Sequence, residues 1–230
     1  MLKIHVPMLL LAACSIQMSA EDGDAWNLRL SVGTAPGISK DSTTNSTTAS
    51  GAADPANNTD QTLSATYGID VQAGARWSRV FPNGFGIVAG PDLFFRSVGG
   101  KFTMSGASIK ETLDAFGVRL VAGPTMTIDN KIRFELTPFL EGGGATDKVD
   151  GTAPGISLSQ TSKLGSYFGY GITAGAFYAF NKHFEAGVQV GYQGFTSQVK
   201  FAPGSLTNDN QTNTLTGSGF IGNVTAVWSF

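Results

Sequence analysis

Apolar side chains recur at every second position along most of this chain, in blocks. Over residues 63–77 the alternation is unbroken, through Leu63, Ala65, Tyr67, Ile69, Val71, Ala73, Ala75 and Trp77. At the end of the chain Phe220, Val224, Ala226, Trp228 and Phe230 share one side. Gly219, Asn223, Thr225 and Ser229 take the other, with Ile221 and Val227 as apolar exceptions. A period of two is the signature of a strand with one face buried or in lipid. The same reading gives strands at 26–32, 63–77, 85–95, 112–128, 132–141, 164–180, 184–195 and 219–230. Pro91 removes a ladder donor in the third of these and suggests a bulge there.

What lies between the blocks is sorted. The stretches 81–84, 129–131 and 181–183 are tight turns of Pro, Asn, Gly, Asp, Lys and His. The stretches 35–62, 97–108, 142–163 and 196–213 are long, polar and without periodicity, and read as loops. Long and short connections alternate strictly, which puts every turn at one rim and every loop at the other. An all-β, eight-stranded, antiparallel up-and-down transmembrane β-barrel has this organisation, with long extracellular loops and short periplasmic turns. A soluble eight-stranded barrel has no reason to sort its loops so. A soluble β-sandwich with aromatic core positions is the remaining reading.

The aromatics refine the membrane reading. Trp26, Trp77 and Trp228 lie on the apolar face, at the short-turn or terminal end of their strands. With Phe85, Tyr178, Phe180, Phe184 and Phe230 they are expected to form an interface girdle at the periplasmic side. Tyr67, Phe95, Phe116, Phe168 and Tyr192 are expected at the outer one.

The opposite face carries charge. Arg29, Arg76, Arg96, Arg119 and Arg133 point inward, as do Asp70, Asp92, Glu135, Glu141 and Glu185. An eight-stranded barrel has room inside for little but side chains. Five charges of each sign are therefore expected to pair as a lumen plug. The functional alternative is a catalytic or ion-conducting set.

Composition narrows the chemistry. The net charge is −2, so nucleic acid is not implied as a partner. No basic run occurs in the four loops, which argues against heparin-like ligands. Residues 1–20 read as a secretory signal peptide, cleaved near Ala20, leaving 21–230 as a single barrel domain. Leu11-Ala12-Ala13-Cys14 also matches a lipoprotein box, so lipidation at Cys14 is the alternative. No later stretch is long and apolar enough for a transmembrane helix. Of the two histidines, His5 lies in the signal and His183 in a short turn. No Ser-His or metal-His site at the outer surface can be built from them. Neither a catalytic site, a metal nor a cofactor is therefore expected, though carboxylate-only chemistry stays open. One heptapeptide, GTAPGIS, occurs at 33–39 and again at 151–157. Its Pro-Gly pair suggests a matching turn in both loops.

The terminal strand ending in Phe230, with apolar residues at every second position before it, resembles the last strand of bacterial outer-membrane β-barrels. As architecture, residues 26–230 resemble the small eight-stranded members of the OmpA transmembrane-domain, OmpX and opacity-protein type. The resemblance implies a bacterial outer-membrane location and a monomer surrounded by outer-membrane lipid and lipopolysaccharide. It implies that Phe230 is read by the barrel-assembly machinery. It also implies a surface ligand, if any, at loops 35–62, 97–108, 142–163 or 196–213. The leading expectation is a non-enzymatic barrel that presents surface loops for envelope integrity, adhesion or surface contact. A narrow channel for small solutes is the alternative, and a lipid-modifying enzyme the third.

Overall fold

The computed structural model describes residues 24–47, 60–104, 107–153, 156–203 and 210–230. The signal at 1–20, with Cys14, lies outside them. Eleven strands make one antiparallel sheet: β1 (Asp24–Ala35), β2 (Lys40–Thr47), β3 (Asp60–Thr62), β4 (Ser64–Val80), β5 (Phe85–Met104), β6 (Ala107–Ile128), β7 (Ile132–Ala153), β8 (Ile156–Thr161), β9 (Lys163–Ala179), β10 (Phe184–Phe201) and β11 (Asn210–Ser229). Eight of them, β1, β4, β5, β6, β7, β9, β10 and β11, bond in a ring. β1 closes it against β11, from Asn27↔Ser229 to Gly33↔Asn223. The Phe230 N–H donates to the Trp26 carbonyl at 3.0 Å, so the last residue bonds to the first strand.

The three short strands prolong ring strands. β2 continues β1 along β11 in the same register, from Lys40↔Thr216 to Thr44↔Thr212. β3 runs into β4 and β8 into β9, each with one extra residue that the neighbouring ladders place between Thr66 and Ile69 and between Lys163 and Ser166. That insertion corrects the facing of Leu63. The alternation puts it outward, but the register shift turns it inward, where it is 5% exposed.

The long connections are corrected more thoroughly. Of the stretch 97–108, β5 and β6 pair down to Met104↔Ala107. In 142–163, β7 runs on to Ala153 and β8 folds back on it. In 196–213, β10 and β11 pair as far as Phe201↔Gln211. The stretch 35–62 holds β2 and β3, and its residues 48–59 lie outside the described set. A transmembrane strand needs only about 9–11 residues, whereas β6 and β7 have 22 each. The surplus stands outside the membrane. There the outward residues turn polar, so the hydrophobic alternation fades. Backbone pairing does not need it, and the inward positions Leu113, Ala115, Ala145, Val199 and Leu215 remain fully buried.

The turns are tight. Asp129 and Asn130 both adopt positive φ, 52° and 53°, the pair of left-handed residues that suits a twisted hairpin. Asn181 Oδ1 accepts the backbone N–H groups of His183 and Phe184 at 2.8 and 2.9 Å. Pro91 makes no bulge. The β4–β5 ladder lacks the rungs at Ala75 and Arg76, then resumes in the same register at Trp77↔Ala89. The missing donor costs hydrogen bonds but inserts no residue.

Candidate functional site: the charged lumen and its mouth

Inward residues of the eight strands stack in layers along the barrel axis. Nearest the turns, Arg29 forms a two-pronged pair with Glu135 at 2.7 and 2.5 Å. Arg133 reaches Glu135 at 2.6 Å and Glu185 at 2.5 Å. Arg76 bonds Asp92 at 2.5 Å and comes within 4.0 Å of Glu135. Three arginines thus face three carboxylates. The Phe177 ring lies 5.3 and 5.0 Å from the Arg29 and Arg133 guanidiniums.

Above this is a thin apolar layer of Val121, Phe139 and Ile221, beside a Thr137–Thr173 hydroxyl pair at 2.7 Å. A second ionic layer follows. Arg96 bonds Asp70 and Glu141, both at 2.8 Å. Arg119 bonds Glu141 at 2.7 Å and donates to Gln72 at 2.7 Å, with its guanidinium 3.9 Å from the Phe139 ring. Gln193 donates to Glu141 at 2.9 Å, and Tyr167 contacts both Arg96 and Glu141. Two arginines here face two carboxylates. Each layer is neutral by itself, which is the arrangement that makes buried charge tolerable.

The sequence singled out the ten charges and not their companions. Phe177, Phe139, Tyr167, Gln72 and Gln193 sit among the ion pairs, all 4% exposed or less. Parity was the available signal. Tyr167 and Phe177 are aromatics on the odd, inward face of a strand whose even face is already apolar.

The third layer is the main core: Ile38, Phe94, Val98, Leu113, Tyr167, Phe195, Phe201 and Leu215 are among its buried members. Ile38 arrives by a strap. After Ala35 the chain leaves the wall and bends into the lumen over β4, between β11 and β5. The Ile38 N–H donates to the Gly99 carbonyl at 2.9 Å, and the Ser39 N–H to the Thr216 carbonyl at 2.8 Å. A Cβ on Gly37 would lie 2.2 Å from the Thr66 carbonyl oxygen, so only glycine fits. This strap is the first GTAPGIS copy. The second lies at the β7–β8 hairpin, where Ala153 pairs with Ile156, and its residues 154 and 155 fall outside the described set. The first copy thus bends into the lumen, while the flanks of the second pair as a hairpin, its own Pro-Gly pair lying outside the described residues.

Above the core, beyond the lipid-facing belt, Asp41, Glu111 and Asp147 are buried together. Burial raises the Glu111 carboxyl well above the ordinary range, and Asp41 and Asp147 add to this. Burial, then Asp41, raise Asp147 likewise, and the amides of Lys148 and Thr112 offset this only in part. The lysines of the same two strands, Lys110 and Lys148, are exposed on the outside. Raised carboxyls bind protons in the folded state that the unfolded chain has lost above about pH 4. Stability therefore falls as pH rises from there towards the raised values. Each pH unit over which one group is held protonated against its unfolded preference costs about 1.4 kcal/mol, about tenfold in opening. Amide exchange in the upper halves of β6 and β7, corrected for its intrinsic rate, is expected to quicken from pH 6 to pH 9. Glu111→Gln is expected to flatten that rise; an unchanged slope would remove the trio as its cause.

At the opposite rim the aromatics touch in series. Ring centroids lie 5.2 Å apart for Tyr178–Phe180, 5.8 Å for Phe180–Phe184 and 5.7 Å for Phe184–Trp228. Trp26 and Trp77 are cross-strand partners. Phe85 and Phe230 are exposed on the same rim. Among the described residues no group of three or more His, Cys, Asp or Glu side chains is placed to hold a metal ion.

The model of the outer membrane protein beta-barrel domain family matches residues 6–228 of the chain. No curated protein matches it in sequence. Among solved structures it is similar to the outer membrane protein OprG of Pseudomonas aeruginosa, 18% identical over 90% of this chain and 96% of that one, with a TM-score of 0.40. It is also similar to the outer membrane protease OmpT of Escherichia coli, 12% identical over 93% and 99%, with a TM-score of 0.43. The attachment invasion locus protein Ail of Yersinia pestis is 14% identical over 91% and 100%, with a TM-score of 0.31.

Proposed function

The chain belongs to the outer-membrane β-barrel family and resides in the bacterial outer membrane, and within that family we propose that it is a non-enzymatic, closed barrel acting through its extracellular surface. One observation supports this most. The lumen alternates neutral ionic layers with apolar ones, and the strap at 36–39 bends inward to add Ile38 to the upper apolar core. A hydrated path for solutes would have to break buried ion pairs, and each broken pair costs several kcal/mol. The ten lumen charges act as a structural plug, and their carboxylates are engaged by arginines rather than poised for proton transfer. What the cell meets is the collar of strands above the membrane. Its contacts serve envelope integrity or adhesion. In the same reading residues 1–20 are the export signal, the aromatic rim is the periplasmic girdle, and Phe230 is the assembly signal.

Planar bilayers test the closure. The purified barrel is expected to show no stable open-channel conductance. Removing residues 48–59, which join β2 to β3, should leave the barrel resistant to SDS until heated, and should reduce adhesion or detergent resistance of the cells. A steady conductance in the full chain, altered by that deletion, would instead establish the narrow channel.

A further inference from the structure

The cations are sorted by type. Every arginine except Arg79 is buried in the lumen, whereas every described lysine is exposed outside it. Arginine's planar fork suits buried two-pronged pairs, and lysine's hydrated point charge suits a surface. The lysines are also not spread evenly. Five consecutive ring strands, β5, β6, β7, β9 and β10, each carry one exposed lysine above the apolar belt: Lys101, Lys110, Lys148, Lys163 and Lys200. The sector formed by β1, β2, β3, β4 and β11 carries Lys40 alone.

Register brings the five together. Lys101 stands directly opposite Lys110, and Lys163 directly opposite Lys200. Lys148 lies between, opposite Thr112 on one side and Thr161 on the other. Among the described residues two carboxylates share this surface. Asp150, opposite Lys110, is held by Lys148 at 2.9 Å and by Ser159 at 2.6 Å. Asp114 is half-buried, four residues nearer the membrane on β6. Positive charge remains in excess. Like charges directly opposite one another destabilise a sheet. Lysines that guard an open edge would explain single ones, but these pairs lie inside a closed ring.

The stripe begins where the apolar belt stops. On β9, Leu164 is 64% exposed and adjoins Lys163. On β7 the outward residues between Leu140 and Lys148 are Gly142, Gly144 and Thr146. A lipid leaning on this face would meet hydrocarbon below, little bulk in between and cations above.

We propose that this stripe binds the phosphates of the outer-leaflet glycolipid, with the sugars over the small residues and the acyl chains on the belt. The proposal rests on the outer-membrane placement and not on the closed lumen. It also revises the sequence-based argument from the lack of a basic run: five lysines far apart along the chain converge once the strands pair.

The test uses the full-length barrel in detergent, lipid A as probe, and native mass spectrometry as readout. Wild type is expected to retain bis-phosphorylated lipid A at least tenfold better than the dephosphorylated form, with the preference fading at high salt. The combined K101Q/K110Q/K163Q/K200Q variant should lose the preference, and the matching lysine-to-arginine variant should keep it. Lys131→Gln with Lys182→Gln, at the opposite rim, should change nothing. Heat-modifiable migration on SDS gels checks that each variant folds, and so separates failure of the barrel from failure of the stripe. Equal retention of both lipids by wild type, or an unchanged preference in the glutamine variant, would overturn the proposal. So would a loss of binding seen with soluble heparin and not with lipid A, which would assign the stripe to a sulfated polysaccharide.

Discussion

Glu135→Ala is expected to be the most damaging single change in the lumen, lowering stability by about 3–5 kcal/mol. The Glu135 carboxylate touches Arg29 and Arg133 and lies within 4.0 Å of Arg76, and its side chain is fully buried. Removing it strips Arg29 of the carboxylate it bonds and leaves Arg76 and Arg133 to Asp92 and Glu185, and a desolvated cation that loses its partner costs far more than the pair was worth. Glu185→Ala is the control. It too contacts Arg133, but its side chain is 19% exposed, and Arg133 retains Glu135. That change should cost about 1 kcal/mol or less. Urea unfolding in lipid vesicles, followed by tryptophan fluorescence, reads both. Equal losses would mean that the lower ionic layer does not hold the barrel as described.

The second large effect belongs to the outer wall. Leu120→Arg should cost about 2–4 kcal/mol if the site lies near the bilayer midplane. Leu120 is 60% exposed and its cross-strand partners are Pro91 and Leu140, so no neighbour offers a countercharge. Thr112→Arg lies eight residues further up the same strand, beside Lys148 and above the belt. Opposite Lys148 it should cost about 1 kcal/mol or less, the range of a like-charge pair across strands. The same unfolding series decides. If both arginines were equally silent, the belt would not be in hydrocarbon, and the membrane level would need to be redrawn along β6.

Much of the fold was legible because a strand in lipid writes itself into sequence. Outward residues must be apolar and the hydrogen bonds must close between neighbours. The alternation at 63–77 and 112–128 therefore located strands directly, and the Asp129-Asn130 pair located a turn. The same physics explains where legibility ended. Above the membrane the outward face meets water, Thr and Lys replace Leu and Phe, and the period fades although the ladder continues. The outer ends of β5 and β10, the upper half of β7 and the first residues of β6 and β11 therefore read as loop in the sequence. Leu63 was turned the wrong way because one inserted residue reverses every side chain beyond it.

Class, compartment and the number of membrane strands follow from residue pattern alone, since each depends on a local rule applied strand by strand. Partnership does not. Parity places Arg29 and Glu135 on an inward face, but 106 positions separate them. Only closure of the ring brings β1 across from β7. The two neutral ionic layers, the Phe177 ring beside two guanidiniums, the inward strap at Ile38 and the five-lysine stripe all depend on which strands face or adjoin one another, and at what register. Register is a property of the closed sheet, set jointly by every strand pair around it, and so it was decided only in three dimensions.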